Sequence, residues 1–227
     1  MSPASRPRLS RIRWTPGAES PDWSPISLAV QPWDHHTHGP PLAAPRLVLE
    51  REGPAGTWQR VRTPPVSTPS GILAWSGLEH RRFAQGVAPV RYRLTVDTEL
   101  YVPAFRESRD DEPLQIQPYD DRGPPPPPAA PLRLLLYPSV AYPFEPRIPV
   151  LRGTVEDAQH RPVRDALLGH GPRERVLTDA KGAFALPLRQ ASPGTASIHV
   201  SDRQGRADIA TITLPQSLTS AVTFTLR

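Results

Sequence analysis

The sequence predicts an all-β protein of two tandem β-sandwiches with an extended N-terminal arm, and three observations support this. Proline accounts for 32 of the 227 residues, and because proline breaks helix interiors, it favours strands, turns and linkers. Short alternating apolar runs follow one another between turn residues, without the period of about 3.6 residues that marks an amphipathic helix. The length suffices for two domains of about a hundred residues, each with its own core.

The elements follow in a regular order along the chain. Residues 1–26 mix proline, serine, arginine and tryptophan without a period, which predicts the arm. Strand-like segments then form a first set at 46–50, 71–75, 90–96, 113–119 and 132–137. A second set lies at 150–157, 166–170, 175–179, 182–188, 196–201, 207–214 and 221–227. The sets predict one sandwich over 27–139 and another over 150–227, joined by a connector over 140–149.

Proline also shapes two segments between strands. The proline run at 124–128 predicts a stiff polyproline II spacer at a hairpin end of the first sandwich. Around the connector, prolines alternate with Tyr137, Tyr142 and Phe144. This alternation predicts a semi-rigid connector that packs against both sandwiches and fixes their relative orientation.

The two sets of strands also match each other. Residues 71–75 match 182–186, because in each a glycine opens a strand whose first, third and fifth residues share one face. The closing pair of strands in the first set likewise matches the closing pair in the second. An internal duplication is the simplest account of this similarity.

The densest motif lies in the second set of strands. It comprises Gly153-x-Val155-x-Asp157, Pro162-Val163, Ala166-x-Leu168 and Thr178-Asp179-x-x-Gly182-x-Phe184-x-Leu186. This pattern resembles the carboxypeptidase regulatory-like domain over residues 150–227, and more weakly over 28–138. The resemblance implies tandem sandwiches of the transthyretin or immunoglobulin-like type.

Each motif position has a physical role in such a sandwich. Val155 and Val163 are predicted to point inward on paired strands, and Gly182 to supply the positive φ of a hairpin. The chain departs from the family at His160 and Asp165, where glycine is usual. Since histidine tolerates a left-handed turn at some cost, we expect changes of loop detail that leave the sandwich intact.

The run "WDHHTHG" at 33–39 holds the metal candidates His35, His36 and His38, beside Asp34. Imidazole and carboxylate groups are suitable ligands for zinc or nickel. However, adjacent histidines on a strand point to opposite faces, and no partner follows at a fixed spacing. We therefore predict a solvent-exposed loop with no metal site, and no cofactor for the protein.

Catalytic patterns are not found in the sequence. There is no Gly-x-Ser-x-Gly elbow and no cysteine, and the His-x-x-Glu zinc pair of metallocarboxypeptidases is missing. The acids Asp110, Asp111 and Glu112 form one local cluster of the kind found in solvated loops. We therefore predict a protein that is not an enzyme and has no catalytic residues.

Charge and hydropathy restrict the partners. The net charge is +5, and Lys181 is the only lysine, so we attribute the arginine excess to the codon usage of a GC-rich genome and expect no nucleic-acid partner. No apolar stretch at the N-terminus resembles a secretory signal, and no apolar run reaches the roughly 18 residues of a membrane span. These features predict no membrane partner and a protein that remains in the cytoplasm until it joins an assembly.

The sandwich fold, the extended basic arm and the lack of a secretory signal together predict a structural subunit of a phage tail or contractile injection particle, at its collar, cap or baseplate. Such particles assemble in the cytosol and often carry sandwich modules, which is an argument by association. The arm alternates arginine with apolar residues and can add a strand to a neighbouring sheet. We expect contacts with other subunits, in a homo-oligomeric ring or with tail proteins, through Arg8, Arg11, Arg13, Trp14 and Trp23.

The alternative function is a carbohydrate- or surface-binding adhesin module, which predicts exposed tryptophans along a groove. The competing prediction for the tryptophans is a structural one. On that view Trp58 and Trp75 fill the first core, while Trp14 and Trp23 anchor the arm.

Overall fold

The computed structural model describes residues 25–104, 114–123 and 130–227. Within these ranges the chain folds into β-sandwich layers without an α-helix, and its helical turns are the 3-10 segments Pro54–Gly56 and Gln216–Leu218. The predicted all-β fold class is therefore confirmed. The arm, the acidic cluster at 110–112 and the proline run lie outside the described residues.

We call residues 25–139 the first half. Its strands are β1 Ile26–Asp34, β2 Arg46–Glu52, β3 Trp58–Arg60, β4 Val66–Ser67, β5 Leu73–Ser76, β6 Val90–Asp97, β7 Tyr101–Pro103, β8 Leu114–Ile116 and β9 Leu132–Pro138. They form two sheets with strand orders β4-β5-β1-β9-β7 and β3-β2-β6-β8. Alternating apolar residues such as Val30, Trp75 and Tyr92 fill the space between these sheets.

We call residues 150–227 the second half. Its strands are β10 Val150–Asp157, β11 Leu167–His170, β12 Glu174–Leu177, β13 Ala183–Pro187, β14 Gly194–Ser201, β15 Ala207–Leu214 and β16 Val222–Leu226. Their sheets have the orders β13-β10-β16 and β12-β11-β14-β15. In the core between them, the ring of Phe184 stacks on that of Phe224 with centroids 5.7 Å apart. The division into separately folding domains stays a prediction.

The two halves share one strand arrangement. In the first half β1 pairs antiparallel with β5 and parallel with β9. In the second half β10 pairs antiparallel with β13 and parallel with β16. The facing sheets agree as well, since β2 lies between β3 and β6 as β11 lies between β12 and β14. The predicted match of 71–75 with 182–186 falls on the corresponding strands β5 and β13, which supports an internal duplication.

The first half differs from the second in two additional edge strands. β4 pairs with β5, and β7 pairs antiparallel with β9. The corresponding strands of the second half, β13 and β16, have no such outer neighbour among the described residues. The outer edges of the two halves are therefore covered differently.

The sequence pattern did not predict β1, although this strand lies at the centre of its sheet. The arm was predicted to extend to residue 26, whereas β1 begins at Ile26. Pro32 obscures the strand, because proline cannot donate a ladder hydrogen bond. It is tolerated since the pairing of β1 with β5 stops at Val30, so that at Pro32 the strand has β9 as its one partner among the described strands.

The motif positions of the second half behave as predicted. Val155 and Val163 are buried, and Gly182 has a φ of 72°. His160 and Asp165 both have a φ of 57°, the left-handed conformation that glycine adopts without strain. The sandwich accommodates both departures in its turns.

Gly153 of β10 lies opposite Val222 of β16 and close to its backbone. A Cβ atom at this position would run into the carbonyl oxygen of Val222. Because a backbone oxygen cannot turn aside, Gly153→Ala must push β16 away. We expect the free energy of unfolding to fall by about 1–3 kcal/mol, measured by urea denaturation. Gly169→Ala is the control, since a Cβ there meets its nearest atom at 3.5 Å. Equal losses in both variants would contradict this account.

Candidate functional site

β1 ends in a tight turn that the buried carboxylate of Asp34 organises. The Asp34 N–H donates to the carbonyl of Gly39 at 2.8 Å, which closes the turn. Asp34 Oδ1 accepts hydrogen bonds from the backbone N–H groups of His36 at 2.7 Å and Thr37 at 3.3 Å. His38 adopts the left-handed conformation with a φ of 54°. The side chain thus accepts hydrogen bonds from two backbone N–H groups of the turn.

The prediction of a solvent-exposed loop at 33–39 is wrong. Asp34 is 0% and His36 is 8% exposed, and His35 is half-buried; only Thr37 and His38 are exposed. The reason is that β1 continues to Asp34, so the turn packs against other segments and does not project into solvent.

The other carboxylate oxygen of Asp34 joins β1 to two distant segments. Asp34 Oδ2 accepts from the hydroxyl of Tyr101 on β7 at 3.1 Å and from that of Tyr142 in the connector at 2.8 Å. Both tyrosines are buried, and the Tyr101 hydroxyl also accepts from the Leu42 N–H at 2.8 Å. A buried charge needs such donors to offset its lost hydration. We name Asp34, Tyr101 and Tyr142 the carboxylate clasp.

Both tyrosines of the clasp remain donors over the physiological range. Burial raises the pKa of Tyr101 to about 12. Burial, followed by the hydrogen bond to Asp34, raises the pKa of Tyr142 well above its ordinary value. Tyrosine ionisation therefore does not open the clasp near neutral pH.

The turn after β1 also contacts the connector and the second half. The rings of Tyr142 and Phe144 pack edge-on against His36, with centroids 5.4 and 5.1 Å away. Arg189, which follows β13, donates from Nη1 to the His36 carbonyl at 3.1 Å. Arg152 of β10 donates to the carbonyl of Val140 in the connector at 3.1 Å. Through Tyr142, Phe144 and Val140 the connector contacts both halves.

The surroundings of His35 and His36 favour the neutral imidazole. Burial, then repulsion from His38 and Arg175, lowers the pKa of His35 to about 4. Burial, then repulsion from Arg189, also lowers the pKa of His36. The Nδ1 atoms of both have no hydrogen-bond partner in the part of the chain that the structure describes.

The three metal candidates lie in different surroundings. The rings of His35 and His38 lie 5.7 Å apart, whereas His36 packs among the aromatic rings of the connector. Within residues 25–104, 114–123 and 130–227, no group of three or more histidine, cysteine or acidic side chains is arranged to hold a metal ion.

The turn after β10 repeats the turn after β1. The Asp157 N–H donates to the carbonyl of Arg161 at 2.9 Å, and Asp157 Oδ1 accepts from the N–H groups of Gln159 and Arg161 at 2.9 and 3.0 Å. Asp157 Oδ2, however, accepts from Arg161 Nε at 2.8 Å. Gly39 occupies the place of Arg161 in the first half, so the equivalent oxygen of Asp34 is free to bind the two tyrosines.

The equivalence of the turns after β1 and β10 is also visible in the tripeptides that follow each aspartate. The first half has His38-Gly39-Pro40, and the second has His160-Arg161-Pro162. The first turn is one residue longer, which separates the two motifs in a direct alignment. The histidine run is thus the first-half version of a structural turn.

The described tryptophans are all buried or half-buried. Trp75 fills the first core at 1% exposed, as predicted. The prediction that Trp58 also fills this core is wrong, because Trp58 lies on the outer face of its sheet, where the Arg93 guanidinium covers it 4.8 Å from the ring centroid. Arg133 covers Trp33 in the same way at 4.5 Å.

The predicted partner-binding residues lie outside the described residues, and they stay predictions. They are Arg8, Arg11, Arg13, Trp14 and Trp23. Among the described residues, no helix is long and apolar enough to cross a membrane.

Comparisons with known proteins give little further information. No protein-family model matches the chain, and no curated protein matches it. One matching solved structure is the Bacillus anthracis TIE protein, with a TM-score of 0.28 and 13% identity over 89% of this chain. The match spans 33% of that protein's chain. A likeness at this TM-score carries no argument about function.

Asp34→Asn tests the carboxylate clasp with little change of shape. Its amide nitrogen would face two tyrosine hydroxyls whose protons then lack an acceptor. We expect the free energy of unfolding to fall by about 1–3 kcal/mol in urea denaturation at neutral pH.

Asp157→Asn is the matched control for that variant. Its carboxylate bonds within a single turn, and its partner side chain Arg161 is 72% exposed and can turn to solvent. We expect a smaller loss than for Asp34→Asn. A loss as large in the control would show that the turn, and not the clasp, determines the effect.

Acidification should destabilise the fold through His35. The unfolded chain gains a proton as the pH falls through 6.5, while folded His35 stays neutral until about pH 4. The free energy of unfolding should therefore decline as the pH falls from 6.5 to about 4. Below that pH, His35 contributes no further decline. Urea denaturation at about pH 7 and about pH 5 should show a shallower decline for His35→Gln than for the natural chain. An equal decline in the two chains would show that His35 is not the source of the pH dependence.

Proposed function

We propose that this chain is a non-enzymatic structural subunit of a self-assembling particle of the phage-tail or contractile-injection type. In this proposal the two halves form a rigid spacer that binds neighbouring subunits through its arm and its sheet edges. The observation that supports it best is the junction, where the carboxylate clasp and Arg189 tie β1, β7, the connector and the second half together.

A rigid junction suits a part that must hold its neighbours at a defined distance. Interfaces between domains of one chain commonly permit relative motion unless they are large or specific. Here a buried polar network supplies the specificity, because its hydrogen bonds are satisfied in one arrangement of the segments. Proline in the connector lowers the entropy that this arrangement costs.

The second half also supports a proposal about the domain family. We propose a carboxypeptidase regulatory-like domain of the transthyretin type there, supported by the positive φ of Gly182, His160 and Asp165 at the turn positions of the motif. The repeated topology supports a diverged copy in the first half. The assignment to a tail or injection particle, at a collar, cap or baseplate, is an argument by association with the modules such particles carry.

The proposal also includes the place of action. The chain would be made in the cytoplasm and then become part of an assembled particle, as one member of a homo-oligomeric ring or beside other tail proteins. Repeated head-to-tail contacts between identical subunits close into rings when the rotation between neighbours permits.

Light scattering of the purified chain tests self-assembly through the arm. We expect a defined oligomer for the full chain and a smaller species for a chain that lacks residues 1–24. The truncation stops at 24 because β1 begins at Ile26. Equal urea midpoints for the two chains would show that the truncation leaves the fold intact. A monomer in both cases would contradict the proposal and make the adhesin alternative the leading one.

A further inference from the structure

We propose that the outer edge of β16 binds the arm of a neighbouring copy as an added antiparallel strand. This inference rests on the proposed function, namely that the chain assembles through its arm, and it names the edge that receives the arm.

The comparison of the halves locates the binding edge. In the first half β9 has β1 on one side and β7 on the other, with Val102 of β7 paired to Tyr137. In the second half β16 pairs with β10 alone among the described strands. The two strands are equivalent, because Asp34 pairs with Leu136 and Asp157 pairs with Leu226 at the same end of each parallel ladder. No described strand therefore fills, beside β16, the position that β7 fills in the first half.

The backbone of β16 is suited to accept a strand. In a parallel pair, alternate residues direct their N–H and C=O groups to the neighbour, so the other residues direct theirs outward. No backbone hydrogen bond between described residues reaches the outer edge of β16. The strand, Val222–Leu226, contains no proline and no charge, which are the residues that commonly block an edge.

The neighbouring edge of the facing sheet is blocked by contrast. On β15 the N–H of Ile209 donates to Asp208 Oδ1 at 2.8 Å. The N–H of Thr213, also on β15, donates to Ser217 Oγ at 3.1 Å. Local side chains thus occupy donors that an added strand would need. Of the two edges, β16 is the one left available.

The arm has the length and the pattern to occupy this edge. Its 24 residues before Pro25 span up to about 80 Å when extended. In an extended chain Ile12 and Trp14 share one face, while Arg11 and Arg13 share the other. An edge strand of a sandwich requires this division, with an apolar face toward the core and a polar face toward solvent. The arm of the neighbouring copy would pair with β16 as β7 pairs with β9 within one chain.

Disulfide cross-linking tests the contact, because the chain contains no cysteine. Chains with one cysteine in the arm, scanned over positions 9–14, are mixed with Thr223→Cys chains and oxidised mildly. We expect severalfold more linked dimer from Arg11→Cys or Arg13→Cys than from Ile12→Cys, since Thr223 points outward from its sheet. Thr211→Cys, an exposed threonine on β15, is the matched control and should link poorly.

The outcomes separate this inference from the proposed function. Equal yields from Thr223→Cys and Thr211→Cys, or no alternation along the arm, would overturn the β16 assignment. So would a disulfide that forms within one chain when Arg11→Cys and Thr223→Cys are combined and diluted. If light scattering still shows an arm-dependent oligomer in these cases, the proposed function stands and only the edge is wrong. A monomeric chain that fails to cross-link would overturn both.

Discussion

The buried carboxylate of Asp34 is the constraint on which the arrangement of this protein depends. A charge at 0% exposure is stable only where enough donors replace its lost hydration. Asp34 obtains two from its own turn, one from Tyr101 and one from Tyr142. Because these donors belong to the turn after β1, to β7 and to the connector, the three segments must meet at one point. His36, in the same turn, then presents its carbonyl to Arg189 of the second half.

One structural element serves two purposes in the two halves. Asp34 and Asp157 end equivalent strands and close similar turns, and both are buried. In the second half Arg161 supplies the remaining hydrogen bonds, so the carboxylate stabilises its own turn. In the first half Gly39 cannot do so, and the carboxylate binds segments that are remote in sequence. Glycine in place of arginine, together with one more residue in the first turn, therefore accompanies the change from a local turn to a junction.

Sequence patterns predicted the parts of this structure that local chemistry determines. The strands of the second half follow from their alternation, and the left-handed turn residues follow from the glycine-like positions His160 and Asp165. The centre of the first half was missed, because Pro32 interrupts β1 and the histidine run resembles a ligand cluster. The clasp itself has no local signal: its tyrosines lie 67 and 108 residues from Asp34. The His-x-Pro after each aspartate is a signal of the equivalent turn, but it becomes recognisable only once the topology relates the two strands.

The charges around His35 and His36 do not favour a pH-dependent switch at the junction near neutral pH. Neutral imidazoles at His35 and His36 lie near Arg175 and Arg189, so added positive charge there is unfavourable. A switch near neutral pH would require a histidine whose pKa lies close to 6 or 7, at about its ordinary value. The pKa of His35, at about 4, lies far below that range. His35 therefore stays neutral near neutral pH. A spacer that holds its neighbours at a fixed distance needs the same constancy.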